Sequence, residues 1–392
     1  MDKPYYPLRP ISSISVLAQT LGIRETLLLN LAQKVDNSYT EFLINTKGKD
    51  RTVYEPKLDL KRLQKRINHR IFEKVEYPTY LQGGIKDIDN KRDYVENANI
   101  HCVNAPNIII SVDIKSFYDN IKSKFIFDIY KNFFRFPDDV SEILTKLTTF
   151  KNKVPQGACT SSYLANLVFF NTEYSLVSKF RTQNICYTRL LDDITLTSRK
   201  ELKEDKISLY IKDIISMFRK YDLKHNNKKT RVETQKSGKG SFKITGLWVG
   251  HSRPKATRQE RRYIRLLVKI CENKYKENKF SDEYHTFWNR TSGLVAKLTR
   301  LNQSNHKDLR DRMANILPLY DQVSKDKVIR ECRAVLKFNN KTTLTIGQLD
   351  VVNKLLGKLG ILARNDRGLS KLWRSRIRKH LKNIPTKREI WQ

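Results

Sequence analysis

The spacing of apolar positions changes repeatedly along the chain, and each change marks an element. Residues 13–35, SISVLAQTLGIRETLLLNLAQKV, carry apolar side chains at helical intervals, so a helix is expected there. Residues 51–75, RTVYEPKLDLKRLQKRINHRIFEKV, begin as a short strand and then turn helical. Leu60, Leu63, Ile67 and Ile71 fall on one side of that helix, with Lys and Arg opposite. NIIISVDI (107–114) is a β-branched run, read as a buried strand ending on Asp113. Residues 122–150 have a helical pattern, and TSSYLANLVFFNTEYSLVSKF (160–180) reads as a helix with Ser and Thr at its start. NICYTRLL and ITLTS are two strands with Asp192–Asp193 between them, which predicts a hairpin. A helix over 203–220 and a strand pair in FKITGLWVG (242–250) follow; beyond 255 the chain is helical and basic.

The order strand, helix, strand–turn–strand, helix, strand describes an α+β sheet with helices on one face. Basic, mostly helical segments flank it. The arrangement fits a right hand: fingers with an N-terminal helical segment over 1–106, a palm with an antiparallel sheet over 107–250 (a helical insertion at about 122–153), and a basic helical thumb over 251–392. No internal repeat or low-complexity segment is evident.

Composition narrows the partners. The 392 residues include 76 Lys and Arg against 41 Asp and Glu, a net charge of +35 spread along the chain. A globular chain this basic calls for a polyanion, and a structured nucleic acid is the usual one. An anionic membrane surface is the rival, but no lone amphipathic anchor stands out. Mean hydropathy is −0.59, and no apolar run approaches the roughly eighteen residues of a membrane span. The start, MDKPYYPLRPISSISVLAQTL, lacks a signal-peptide pattern, so a cytoplasmic protein is expected. Cys102, Cys159, Cys186, Cys271 and Cys332 show no CxxC spacing; buried reduced thiols are expected rather than a zinc site or disulfides.

Against this positive background the adjacent Asp192 and Asp193 stand out. If their hairpin neighbours the strand ending at Asp113, three carboxylates converge at one end of the sheet. Two hard cations would make such a cluster favourable, because Mg²⁺ takes carboxylate oxygens together with substrate phosphates. Two metals about 4 Å apart clamp the attacking and leaving oxygens of an in-line phosphoryl transfer. An Asp-Asp pair alone is also an ordinary turn dipeptide, so the neighbouring segments decide.

Those segments resemble the reverse transcriptase family over most of the chain. SVDIKSFYDNI (111–121) is similar to its first catalytic segment, VPQGACTSSYLANL (154–167) to its nucleotide-binding segment, and RLLDDITL (189–196) to its Tyr-x-Asp-Asp segment. HNNKKT (225–230) and KITGLWVG (243–250) resemble the two segments that follow, in family order. NANIH (97–101) matches the Asn-Ala-x-x-His signature of retron enzymes, and ITG (244–246) is similar to their Val-Thr-Gly element. Two departures stand out: Leu190 occupies the usual Tyr position, and Cys159 and Ser162 replace prolines. Both bear on how the primer terminus packs.

The resemblance implies RNA-directed DNA polymerase activity in antiphage defence, copying a structured non-coding RNA from dNTPs into DNA with two Mg²⁺ ions. It implies that Asp113, Asp192 and Asp193 hold the metals, with the Ile114 carbonyl adding a ligand. Tyr118 falls at the steric gate against a ribose 2′-OH. Gln156 and Gly157 fit the incoming-nucleotide site, and Lys229 the charge stabiliser or general acid near pyrophosphate. Lys86, Lys91 and Arg92 are candidates for gripping the triphosphate. Asn97 and His101 are expected as a structural or RNA-contacting pair. Residues 361–392 carry ten Lys and Arg against two acids; Trp373 among Arg374, Arg376, Arg378 and Lys379 suits base stacking beside phosphate contacts. An effector or second defence protein is a further expected partner. Two other readings remain: a defence polymerase making repetitive or untemplated DNA, and a catalytically idle RNA-binding scaffold.

Overall fold

The computed structural model describes all residues except 1, 47, 104, 235–241, 340–343, 382–383 and 385–392; the end of the expected RNA-binding tail thus lies outside the described residues. The chain divides after Pro254 into two compact units.

In the first unit, strands β1 (Tyr39–Thr46) and β2 (Lys49–Pro56) form a separate antiparallel hairpin. The main sheet contains β3 (Leu81–Gln82), β4 (Ile108–Asp113), β5 (Cys186–Leu190), β6 (Asp193–Ser198) and β7 (Arg231–Thr234), in the order β3-β5-β6-β4-β7. Only β3–β5 is parallel. The small hairpin of β8 (Lys243–Ile244) and β9 (Leu247–Trp248) follows the sheet in sequence. The β1, β3 and β7 strands were not anticipated: β3 spans two residues, and β1 and β7 are partly polar, so none gives a strong period-two signal.

The expected helix over 13–35 is two helices, Ile14–Leu21 and Glu25–Gln33. The break is at Gly22, whose φ of 62° closes the first helix in the left-handed conformation glycine favours. The helical pattern over 122–150 likewise divides, into Ser123–Asp128, a π-turn at Ile129–Phe133 and Asp138–Thr148. That over 160–180 divides into Ser161–Leu167 and Glu173–Thr182.

Side-chain alternation divides the main sheet into two faces. Tyr187, Arg189, Ile194 and Leu196 are buried on one, where Tyr187 and Arg189 meet helix Glu173–Thr182. Thr188 and Thr197 point the other way, and both bond to His101 in helix Tyr94–Val103. The expectation of helices on one face is therefore corrected: this end of the sheet is covered on both sides. That explains why Ile108–Val112 is almost continuously buried rather than alternating. Asp113 and Asp193 belong to the same face as the threonines, at the opposite end of their strands.

The second unit is helical: Arg258–Asn278, Asp282–Arg300, His306–Asn315, Gln322–Val335, Ile346–Asn365 and Arg367–His380. All but the third begin with a side chain of Thr257, Ser281, Asp321, Thr345 or Asp366 accepting from a first-turn amide. Val328, Cys332, Leu355, Leu359, Trp373 and Ile377 are buried in one apolar cluster. Among the described residues no helix is long and apolar enough to cross a membrane.

Candidate active site

The catalytic candidates are assembled by strand register. Asp113 ends β4 and stands opposite Asp193, the first residue of β6. Leu190 also pairs with Asp193 across the hairpin, so only Leu191 and Asp192 form the turn. The Ile114 amide donates to the Asp192 carbonyl at 3.0 Å, tying that turn to the end of β4. The three aspartates separated in sequence thus meet at one sheet end.

Asp113 is buried. Its Oδ2 accepts from Asn226 Nδ2 at 3.0 Å and its Oδ1 from Lys229 Nζ at 2.5 Å. The Asn226 amide also donates to the Asp113 carbonyl at 2.8 Å, and the Lys229 amide to the Asn226 carbonyl. HNNKKT is therefore a turn that delivers an amide and an ammonium to one carboxylate. Hydrogen bonding to Asp113 raises the Lys229 pKa against a smaller desolvation effect. Burial raises Asp192, as does Asp113; its own backbone amide, Lys229 and the Arg51 guanidinium oppose the rise. Asp193 keeps an exposed face, yet protein surrounds most of its carboxylate, which is pushed up to about 7 by desolvation first and then by Asp192 and Asp113.

Among the described residues no three His, Cys, Asp or Glu side chains are drawn into a closed metal cage; Asp113 is engaged by Lys229 and Asn226 instead. The donor set nevertheless fits a divalent cation. Hard oxygens face one another in a partly desolvated site, and the mutual repulsion that raises Asp193 is what a cation relieves.

The other predicted residues fare differently. Tyr118 is half-buried, and its hydroxyl is pushed up to about 12 by burial and then by the Asp192 charge. The Gln156 carbonyl accepts from the Tyr54 amide at 2.8 Å, joining its loop to β2. Gly157 has φ of 105°, and a Cβ there would lie 2.5 Å from Val53 Cγ1. Its glycine is required by this conformation and by close approach of β2. Lys86 pairs with Glu73 at 2.7 Å. The Arg92 side chain is buried, bonded to Asp87 and to the carbonyls of Tyr77, Pro78 and Leu81; it braces a loop instead of facing a triphosphate. Lys91 is exposed.

His101 is 0% exposed, its ring nitrogens each 2.7 Å from a threonine hydroxyl, Thr197 at Nδ1 and Thr188 at Nε2. Asn97 is also buried. Both side chains are enclosed by protein, the placement a structural role requires. Trp373 is packed in the apolar cluster at 6% exposure, with Arg376 over its ring at 5.2 Å. It is a core residue, which corrects its expected role as a stacking platform. Arg376, Arg378 and Lys379 are exposed and Arg374 is half-buried.

Sequence reasoning missed Arg51, Asn226, Gly83 and Gly84. A Cβ on Gly83 would lie 2.6 Å from Leu190 Cδ1, and one on Gly84 2.5 Å from Ser162 Cβ. Two consecutive glycines beside an apolar hairpin were the available signal.

Comparison with known proteins places the chain in a family. The family described as "Reverse transcriptase (RNA-dependent DNA polymerase)" matches residues 36–264. The chain is 40% identical to the Retron Se72 reverse transcriptase of Salmonella heidelberg (strain 579083-10), over 96% of this chain and 98% of the relative. It is 31% identical to the Retron Ec48 reverse transcriptase of Escherichia coli, over 81% and 79%. The structure of apo telomerase from Candida tropicalis aligns with TM-score 0.43 and 13% identity, over 90% of this chain and 67% of that one. The chain belongs to the reverse transcriptase family, among its bacterial retron-like members. It is an RNA-directed DNA polymerase, with an RNA template, a DNA product and the divalent-metal dependence general to such enzymes.

Proposed function

We propose that this chain copies a structured non-coding RNA into DNA in the bacterial cytosol as part of an antiphage defence, by nucleotidyl transfer assisted by two Mg²⁺ ions. The observation carrying the catalytic reading is the rung that sets Asp113 opposite Asp193, with Asp192 adjacent in the turn. The retron names of its relatives support the RNA and defence parts.

Asp113, Asp192 and Asp193 would hold the metals, with the Ile114 carbonyl as a further oxygen. Bound there, Mg²⁺ supplies positive charge for in-line displacement at the α-phosphorus of a dNTP. The primer 3′-hydroxyl oxygen bonds to the α-phosphorus as its proton passes to solvent, and the bond from that phosphorus to the bridging oxygen breaks to release pyrophosphate. Lys229, held protonated by Asp113, donates a proton to the pyrophosphate. Tyr118 crowds a ribose 2′-OH beside Asp192. Gln156 shapes the nucleotide site through its link to β2, where Arg51 joins Lys86 and Lys91 as a candidate for the triphosphate. Arg374, Arg376, Arg378 and Lys379 contact RNA phosphates. An effector or second defence protein completes the system.

The test is to purify the protein from a host carrying its native flanking DNA and to sequence the nucleic acid that accompanies it. One defined RNA joined to, or accompanied by, complementary DNA is expected. Asp113→Ala and Asp192→Ala should retain the RNA and lose the DNA, with synthesis reduced on the order of 10³-fold or more. RNA without DNA, even after dNTPs and Mg²⁺ are supplied, would overturn the templated-synthesis reading; repetitive DNA without a matching RNA would replace it with untemplated synthesis.

A further inference from the structure

Beneath the Leu191–Asp192 turn lies an ion pair that the reaction does not touch. Arg189 is 0% exposed and Glu173 2%. Arg189 Nε donates to Glu173 Oε1 at 2.6 Å and Nη2 to Oε2 at 2.8 Å. The remaining donors are also used: Nη2 reaches the Asn166 carbonyl at 2.9 Å, and Nη1 reaches the carbonyls of Ala165 at 3.3 Å and Leu191 at 3.2 Å. Every guanidinium N–H therefore has an acceptor, the condition for keeping this charge buried. Ala165 and Asn166 end helix Ser161–Leu167, where unpaired carbonyls favour a cation. Glu173 Oε1 also accepts from the Tyr187 hydroxyl at 2.6 Å.

The bond to Leu191 gives this cluster a functional consequence. Leu191 has φ of 58°, a conformation that disfavours a residue with a Cβ and needs holding from outside. Arg189 holds its carbonyl from below. The next carbonyl, of Asp192, is held from the side by the Ile114 amide. Asp192 stands between these two anchors, its carboxylate within the field of Asp113.

We infer that the buried Arg189–Glu173 pair is a positioning device: it fixes the strained Leu191–Asp192 turn against the ends of two helices and so sets the direction of the catalytic carboxylates. Arg189 and Glu173 touch neither substrate nor metal. The inference rests on Asp113, Asp192 and Asp193 being the catalytic carboxylates.

Two variants test it in the full chain, extending oligo(dT) on poly(rA) with dTTP and Mg²⁺. Arg189→Met with Glu173→Leu removes both charges together, which leaves no unpaired charge inside. Arg189→Lys keeps a charge for Glu173 but cannot span Leu191 and both helix carbonyls. Each is expected to keep its melting temperature within a few degrees, to lower kcat about 10-fold or more, and to leave the KM for dTTP unchanged. Hydrogen exchange should quicken in peptides covering 111–116 and 189–196 and nowhere else. Wild-type kcat and unchanged exchange in a folded variant would overturn the inference, as would a uniform loss of protection across the unit, which marks a purely structural pair. If the double variant does not fold, Arg189→Lys decides by the same readings. Asp192→Ala is the control: activity surviving in it would overturn the site itself, separately from this inference.

Discussion

In the proposed site Tyr118, whose hydroxyl feels the Asp192 charge, is expected to set the choice of sugar by the shape of its ring. Tyr118→Phe should leave dTTP over UTP selectivity intact on a poly(rA) template, whereas Tyr118→Ala should reduce it by about 10-fold or more, the scale at which shape alone discriminates. Undiminished selectivity in the alanine variant would make Tyr118 an ordinary packing residue. Lys229 is a different case. Its ammonium lies against Asp113, so Lys229→Gln should lower kcat by about 10²-fold as a lost proton donor, with KM for dTTP changed much less. A variant losing only KM would assign Lys229 to binding. The aspartates and Lys229 could be located from sequence because each sits in a short contiguous motif. Asn226 lay inside such a motif too, but its role needs the register that places it on Asp113. Arg189 could not be read as a brace at all, since its acceptors, Glu173, Ala165 and Asn166, belong to helices elsewhere in the chain.

Helix Tyr94–Val103 shows how a motif can be legible while its purpose is not. NANIH was visible as a signature, but a histidine in sequence gives no sign of its burial. Here His101 locks the helix to two strands through Thr188 and Thr197, and full burial lowers its pKa to about 3. The unfolded chain then binds a proton near the usual value of about 6.5 while the folded chain does not. Between these values the unfolded state holds more protons, so stability rises with pH and is lost as pH falls. The wild type should lose on the order of 4 kcal/mol through this group between pH 6.5 and 3.5. His101→Gln, which cannot ionise, should be less stable near pH 7 and show a flatter acid limb. Urea midpoints across this range measure the difference; parallel limbs would show that His101 does not govern the acid response. The same burial accounts for the two-sided covering of the sheet: the run Ile108–Val112 was already apolar on both faces, a signal that strand order alone does not convey.

At the scale of the whole molecule, charge says that the chain meets a polyanion but not where its side chains point. The last described helix, Arg367–His380, separates the two: Trp373 and Ile377 enter the apolar cluster, while Arg367, Lys371, Arg374, Arg378 and Lys379 line a groove of about 580 Å³. Helical periodicity could have shown this, because Trp373 and Ile377 are four residues apart on one stripe; the aromatic among arginines suggested stacking instead. The two roles can be pulled apart by experiment. Arg378→Gln and Lys379→Gln should weaken binding to different single-stranded RNAs uniformly, and each should reduce the slope of log K against log salt by about one. Trp373→Ala should cost about 3–5 kcal/mol of stability in the second unit and, wherever the protein stays folded, leave that salt slope unchanged. Fluorescence anisotropy against ionic strength, with a melting curve for each variant, reads both. A Trp373→Ala protein that melts normally yet loses RNA affinity would return the indole to the RNA interface, and an unaltered slope in Arg378→Gln and Lys379→Gln would move the phosphate contacts off this helix.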